Sequence, residues 1–346
     1  MKFGPVSLAD AYGSILAHSH KTGSGRIRKG VILGETEINE LRDAGIAFIT
    51  AAQLEPGDIL ENDAAKQFAS ALCPEPNSMG VSLNEPFTGR VNIIANGPGV
   101  VKLDAARLVA ANSVDPMISV ATVPDLHQMN EGGLIATIKI ISYSVPQSKL
   151  DQACSLARNS IRLITPQLKT ADLIISQTDG GAGDKGKQAI IDRLDALKVH
   201  LENIRIVPHC INDIADAINA SCADMVLILS GSATSDWEDV APSAVLQSGG
   251  AVDRFGMPVD PGNLLFLGNI GSRAVIGLPG CARSPALNGA DWVLSRIVCG
   301  VPITDVDFAE MAIGGLLKEI PTRPQPRRPK GRTKQNAAQK EPRKIM

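Results

Sequence analysis

The spacing of hydrophobic positions changes character along the chain. In SLADAYGSILAHS (residues 7–19), Leu8, Ala11, Ile15 and Leu16 recur at helical spacing. The following stretch, RIRKGVILGETEINELRDAGIAFITAAQLEPGD (26–58), predicts a strand, a turn, a short helix and another strand. In that helix Thr36 and Asn39 supply part of a capping signal, Ile38 and Leu41 an apolar face, and Gly45 a stop. Residues 1–70 therefore form an expected small α+β leader module. Residues 71–150 are expected to be β-rich, with RVNIIA (90–95) and LIATIKIISYSV (134–145) as strands around a short helix, LDAARLVAANS (103–113).

From residue 151 the pattern alternates between helical and strand periods, which predicts βαβ units. DLIISQT (172–178) holds a short apolar run closed by Gly180 and Gly181, as expected for a buried strand. KQAIIDRLDALK (187–198) places Ile190, Ile191, Leu194 and Leu197 on one helical face, and Ile211, Ile214 and Ile218 mark a second such stripe. Between them lies a strand, NIRIVPH (203–209), and a third strand, DMVLILSG (224–231), follows. Ligands of open α/β sheets bind beyond the carboxyl ends of strands. Attention therefore falls on the loops after residues 178, 209 and 229.

Composition narrows the classes. At roughly 150 residues per domain, 346 residues suit two domains or slightly more. Hydrophobic content of 44% and charged content of 20% suit a soluble globular chain, with no apolar run near the ~18 residues of a membrane span. The start, MKFGPVSLADAYG, lacks a secretory signal, and the six cysteines show no metal-ligand or disulfide-framework spacing. A reducing cytoplasm is the expected compartment. With 3% aromatic residues, a base-stacking nucleic-acid surface is disfavoured, whereas 32 glycines and 22 prolines favour many tight turns.

The net charge of −2 conceals an uneven distribution. Residues 321–346 carry nine Lys/Arg against one Glu, a charge of +8, which leaves −10 for the rest of the chain. Four prolines in the first nine residues of this tail oppose helix and strand, so a disordered basic arm is expected. Its two readings are a docking arm for an acidic partner, membrane or RNA, and a solubilising linker remnant.

Three segments carry candidate chemistry. In GGAGDKGKQ (180–188), Gly181, Gly183 and Gly186 spell GxGxxG, and Gly186-Lys187 resembles the end of a P-loop. Gln188 stands where a P-loop needs a hydroxyl for Mg²⁺, and Asp184 and Lys185 suit a dinucleotide turn poorly. An anion-binding loop using Lys185 and Lys187, or a plain glycine turn, remains. In LSGSATSDWEDVAP (229–242), Ser230, Gly231, Ser232, Thr234 and Ser235 offer hydroxyls and unblocked amides suited to phosphate. Asp236 and Asp239, three residues apart on an expected helical face, suit Mg²⁺ or an ordinary helix cap. In GLPGCARSPALNGADWVLSRIVCG (277–300), Pro279 and Gly280 make a corner, Arg283 is placed to meet an anion and Ser284 to donate to one. Cys281 suits a small buried thiol.

These segments, in order, resemble the molybdopterin-binding proteins of the molybdenum-cofactor-biosynthesis fold, in particular the bacterial subfamily often fused upstream of a molybdenum-cofactor nucleotidyltransferase. The resemblance is carried by GSATSDWEDVAPSAV (231–245), GGAVDRFGMPVDPGNLLFLG (249–268), IGLPGCARSPALNGADWVL (276–294) and MAIGGLLKEIPTRPQPR (311–327), and extends to the leader module. It implies a three-layer α/β molybdopterin-binding domain over residues 151–320 with a mostly parallel sheet. The implied ligand is molybdopterin or its adenylylated form, with Mg²⁺ and molybdate as co-ligands.

By motif, the family's metal-holding and catalytic acids fall on Asp213 and on Asp236 or Asp239. The pterin-binding set falls on Thr178, Gly181, Gly183 and Lys185, on Ser230, Gly231, Ser232, Thr234 and Ser235, and on Pro279, Gly280, Arg283 and Ser284. Where molybdotransferases carry Thr-Gly-Asp-Glu-Leu, this chain has QTDGGAGDKGK (177–187), so Asp179 and Asp184 both stand as candidates for the loop acid. Where a fused nucleotidyltransferase would begin, the chain has its basic tail. A separate nucleotidyltransferase or a molybdoenzyme is the implied partner, and a homo-oligomer is expected. Three functions follow as expectations: Mg²⁺-dependent molybdate insertion into adenylylated molybdopterin, non-catalytic carriage of the pterin, and nucleotide chemistry at the 181–187 glycine loop.

Overall fold

The computed structural model describes residues 1–181 and 183–317, so the basic tail lies outside the described residues. The leader forms a three-stranded antiparallel sheet in which Phe48–Gln53 lies between Lys2–Ser7 and Ile15–Leu16. Helix Glu35–Asp43 buries Ile38 and Leu41 against Val6, Leu16 and Ile49. Its cap is not Thr36 but Gly34, whose amide donates to the Glu37 carboxylate at 3.0 Å. The helical spacing of Leu8, Ala11, Ile15 and Leu16 does not give a helix. A 3₁₀ turn at Leu8–Asp10 is followed by Gly13 at φ 74° and then strand Ile15–Leu16. All four residues are nevertheless buried. Long-range bonds from Leu16 N to Val31 O and from Ala17 N to Thr50 O override the local period.

The middle of the chain builds a second core from Phe68, Leu72, Ile93, Ile138, Ile140 and Leu150. It draws in helix Glu61–Leu72 on one side of the sequence and strand Ile161–Ile164, paired with Gly99–Leu103, on the other.

The third part carries a six-stranded sheet. Its strands in chain order are β1 (Thr170–Gln177), β2 (His200–Pro208), β3 (Met225–Leu229), β4 (Ala251–Phe255), β5 (Phe266–Ile270) and β6 (Arg273–Leu278). Its helices are α1 (Lys187–Ala196), α2 (Ile211–Asn219), α3 (Val240–Gln247), α4 (Gly289–Val298) and α5 (Asp305–Glu310). The spatial order is β2-β1-β3-β6-β5-β4. β2, β1, β3 and β6 run parallel, while β5 pairs antiparallel with both β6 and β4. The sheet is therefore mixed, with three of its five pairings parallel and two antiparallel. The cause is local: β5 and β6 are joined by a two-residue turn with Gly271 at φ 61°, and no helix intervenes to carry the chain back across.

Alternate strand residues enter two apolar clusters. Leu173, Ile175, Leu227, Leu229, Ile276 and Leu278 pack with α1 and α4, whereas Ile174, Val226, Ile228 and Val275 pack with α2 and α3. Burial on both faces explains the apolar runs Leu173–Ile175 of β1 and Met225–Leu229 of β3. Among the described residues no helix is long and apolar enough to cross a membrane.

Opposite Phe266 on the neighbouring strand stands Gly277, and a Cβ there would overlap the Phe266 ring. Gly277→Ala should therefore destabilise the protein by about 1–3 kcal/mol through overpacking, measured as a lower urea midpoint with an unchanged m-value.

Candidate functional site

Because β1, β2, β3 and β6 are parallel, their carboxyl ends lie along one edge. Three bonds tie the first three ends together. The buried Ser176 hydroxyl accepts from Gly231 N at 3.0 Å and is 2.8 Å from His209 Nδ1, and His209 N donates to Gln177 O at 2.8 Å. Gly231 is required by proximity, since a Cβ there would stand 2.6 Å from Ser176 O. Loop 178–186 then lies against the segment after β6. Gly186, at φ 89°, has no room for a Cβ beside the Arg283 backbone.

Arg283 joins three of these segments. Its guanidinium donates to Gly183 O at 3.1 Å, Lys185 O at 2.6 Å and Ser230 O at 2.9 Å. The expected anion-binding arginine thus directs these donors to backbone carbonyls, and burial pulls its pKa below the usual value.

Behind it, the buried Arg193 of α1 holds the segment from Ala282 to Asp291. Nε donates to Asp291 at 2.6 Å, one terminal nitrogen to Ala189 O and Ala282 O, each at 2.9 Å, and the other to Ser284 O at 2.9 Å and Ala286 O at 3.1 Å. All five donors of this guanidinium are used.

The remaining expected residues sort by environment. Thr178, Asp179, Gly181, Asp184 and Lys185 are exposed, and Gly181 N closes a turn onto Thr178 O. The Ser230 hydroxyl accepts from buried Thr234 at 3.4 Å, while Ser232 and Ser235 are exposed. The amides of Ser232, Ala233 and Thr234 donate to no acceptor among the described residues. Pro279 caps the 3₁₀ turn Gly280–Arg283, and the Ser284 hydroxyl accepts from Ala286 N.

The acids have defined partners. Asp239 is the N-cap of α3, accepting from Val240 N at 2.7 Å and Ser235 N at 2.9 Å. Asp236 lies in the preceding turn, accepting from Glu238 N at 2.9 Å, so the two do not share a helical face. Asp213, in the first turn of α2, accepts from the Cys210 thiol. Among the described residues no group of three or more His, Cys, Asp or Glu side chains could hold a metal ion.

Two groups at this edge escape local sequence patterns. His209 is legible only as a histidine at a strand end. Trp237 stands half-exposed with its ring 5.7 Å from that of Phe255 at the end of β4. A tryptophan within a run of small residues was the available signal.

Comparison with known proteins adds the following. A model of a domain of unknown function (DUF8806) matches residues 5–53, within the leader. No curated protein matches the chain. Among solved structures, the molybdopterin biosynthesis MoeA protein from Pyrococcus horikoshii is 11% identical, with 87% of this chain and 75% of that one covered and a TM-score of 0.32. The molybdopterin biosynthesis enzyme MoaB from Thermus thermophilus is 16% identical over 44% of this chain and 99% of that one, with a TM-score of 0.28. CinA from Thermoplasma acidophilum, a protein of unknown function, is 15% identical over 34% and 90%, with a TM-score of 0.26. At scores this low the likeness carries no argument about this chain.

Two substitutions test the edge. Arg193→Met leaves Asp291 and four carbonyls without their donor, and should cost about 3–5 kcal/mol in thermal or urea unfolding. Arg283→Met should leave global stability closer to wild type but speed tryptic cleavage at Lys185 and Lys187, monitored by mass spectrometry.

Proposed function

We propose that this chain binds molybdopterin along the carboxyl edge of β1, β3 and β6 and serves molybdenum-cofactor biosynthesis. The supporting observation is the run of open amides at Ser232, Ala233 and Thr234, beside the exposed Ser232 and Ser235 hydroxyls. Such amides suit the pterin's terminal phosphate. The sequence blocks 231–245 and 276–294, which resemble the family, supply two of the loops at that edge. With −10 outside the tail, local donors rather than net charge must attract the anion. The exposed Lys185 adds a positive charge on the glycine loop, and the exposed half of Trp237 offers the ring a flat apolar wall.

The finer reading separates an enzyme from a carrier. Mg²⁺ commonly takes one or two carboxylates and completes its shell with phosphate and water. Here both oxygens of Asp239 accept backbone amides, and Asp213 and Asp236 each have one oxygen engaged. These residues do not fit a preformed protein cage for Mg²⁺, and no chemical step is derived through one. That engagement favours a carrier, which holds molybdopterin or its adenylylated form and passes it to a nucleotidyltransferase or apo-molybdoenzyme. In this reading the loop amides bind and orient the phosphate, and the hydroxyls of Ser232 and Ser235 hydrogen-bond the polar groups beside it. Metal-dependent molybdate insertion is the competing activity.

Native mass spectrometry of the full chain from a molybdenum-replete host should find a bound pterin. Gly231→Val, which pushes the 230–236 loop off Ser176, should lower its occupancy about tenfold. The carrier releases no AMP from adenylylated pterin, Mg²⁺ and molybdate, whereas the enzyme does. Absence of pterin from the wild-type protein, or tight binding of NAD or ATP in its place, overturns the reading.

A further inference from the structure

A cleft outside the strand-edge amides runs between the middle of the chain and the helices of the six-stranded sheet. Two cavities of about 490 and 360 Å³ share His127 and Trp292 as walls. Both volumes lie in the range that holds small molecules. One wall is the segment around His127, and the other is α4 with α5.

On α4, Trp292 and Arg296 lie four residues apart and so on one face. Both line the smaller cavity. The two arginines of the cleft contrast sharply. Arg193, lining the larger cavity, has every donor paired. Arg296 has its Nε sealed from solvent without an acceptor, and among the described residues its guanidinium makes no hydrogen bond at all. Burial lowers its pKa, while the carboxylates of Asp307, Asp125 and Glu310 favour its charged form. Buried donors in native proteins are nearly always paired; here Nε alone is sealed, and the terminal nitrogens of Arg296 stay open to an acceptor in the cleft.

The surrounding charges select the class of that acceptor. Asp125 on these walls is spent on Lys102, at 2.8 Å, and on Leu103 N, so a phosphate or carboxylate would face Asp307 and Glu310. A cation would face Arg296. A neutral molecule carrying an acceptor next to donors suits both. Among the described residues Asp307 engages one oxygen with Thr304 and leaves the other, and the exposed Glu310 carboxylate makes no hydrogen bond. A carboxylate accepts two parallel N–H groups from a ring nitrogen and an adjacent amine, and arginine donates to a ring carbonyl. Trp292 adds a face for stacking.

We propose that this cleft is a second binding site, for a neutral bicyclic heterocycle that presents a ring carbonyl beside ring and amine N–H groups, as guanine does. Arg296 donates to the carbonyl, Glu310 or Asp307 accepts the N–H pair, and Trp292 stacks on the ring. These four residues lie outside the strand-edge loops, so the inference does not depend on the molybdopterin reading.

The test uses ¹⁵N-labelled full chain and the indole N–H signals of its two tryptophans, assigned with Trp237→Phe. Guanosine should shift the Trp292 signal saturably and leave Trp237 unmoved. Adenosine, with an amine in place of the carbonyl, should bind at least about tenfold more weakly. Pterin, which carries the same edge as guanine, should compete with guanosine for Trp292. Arg296→Met should abolish the shift, and Glu310→Gln, at an exposed residue without a packing role, should weaken it in a protein of unchanged thermal midpoint. No Trp292 shift with millimolar guanosine, equal binding of adenosine, failure of pterin to compete, or a shift that survives both substitutions overturns the proposal. Trp237 sits in the strand-edge loop and reports that site separately, so failure of one reading is not mistaken for failure of the other.

Discussion

The arrangement of the candidate edge depends on one buried guanidinium. Arg193 donates five hydrogen bonds to its own helix, to the segment after β6 and to the first turn of α4. Removing a charge from water is costly unless the geometry satisfies every donor, and here it does. Asp291 answers twice, pairing with Arg193 through one oxygen and accepting Asn288 N through the other. The irregular segment 284–288 thereby acquires a defined course without regular secondary structure. Arg283 is set by that course, and through it loops 178–186 and 230–239 are set as well.

The edge that results has short-range donors and little free positive charge. Arg283 serves carbonyls, Asp236 and Asp239 serve amides, and what remains open includes backbone N–H groups, serine hydroxyls and the exposed Lys185. On the proposed function, such a site would select a ligand whose anionic group fits between loops, because its attraction does not reach far into solvent. The glycines serve contact as much as conformation. Gly231 lets the β3 loop touch Ser176, and Gly186 lets the glycine loop rest on Arg283.

Much of this was legible locally, but unevenly. Strands β1 and β3 were readable from their apolar runs, Leu173–Ile175 and Met225–Leu229, and α1 and α2 because their stripes repeat every three to four residues. The loops beyond β1, β2 and β3 followed from the same alternation. The period of Leu8, Ala11, Ile15 and Leu16 marked buried positions correctly and the wrong element, since distant strands supplied their backbone partners. The direction of β5 was hidden in a two-residue turn. For Asp236 and Asp239 a spacing of three suggested a shared helical face, whereas the helix starts only after Asp239.

Local pattern was thus enough to say which residues are buried, where the sheet begins and which loops gather at its edge, because period and apolar content are properties of neighbours in sequence. Whether Arg283 meets a ligand or a carbonyl, whether Arg193 is satisfied and Arg296 is not, and how His209 joins Ser176 depend on groups 33 to about 100 residues apart. Hydrogen bonds are short and directional, so their partners are chosen only when the folded chain brings those distant segments within about 3 Å.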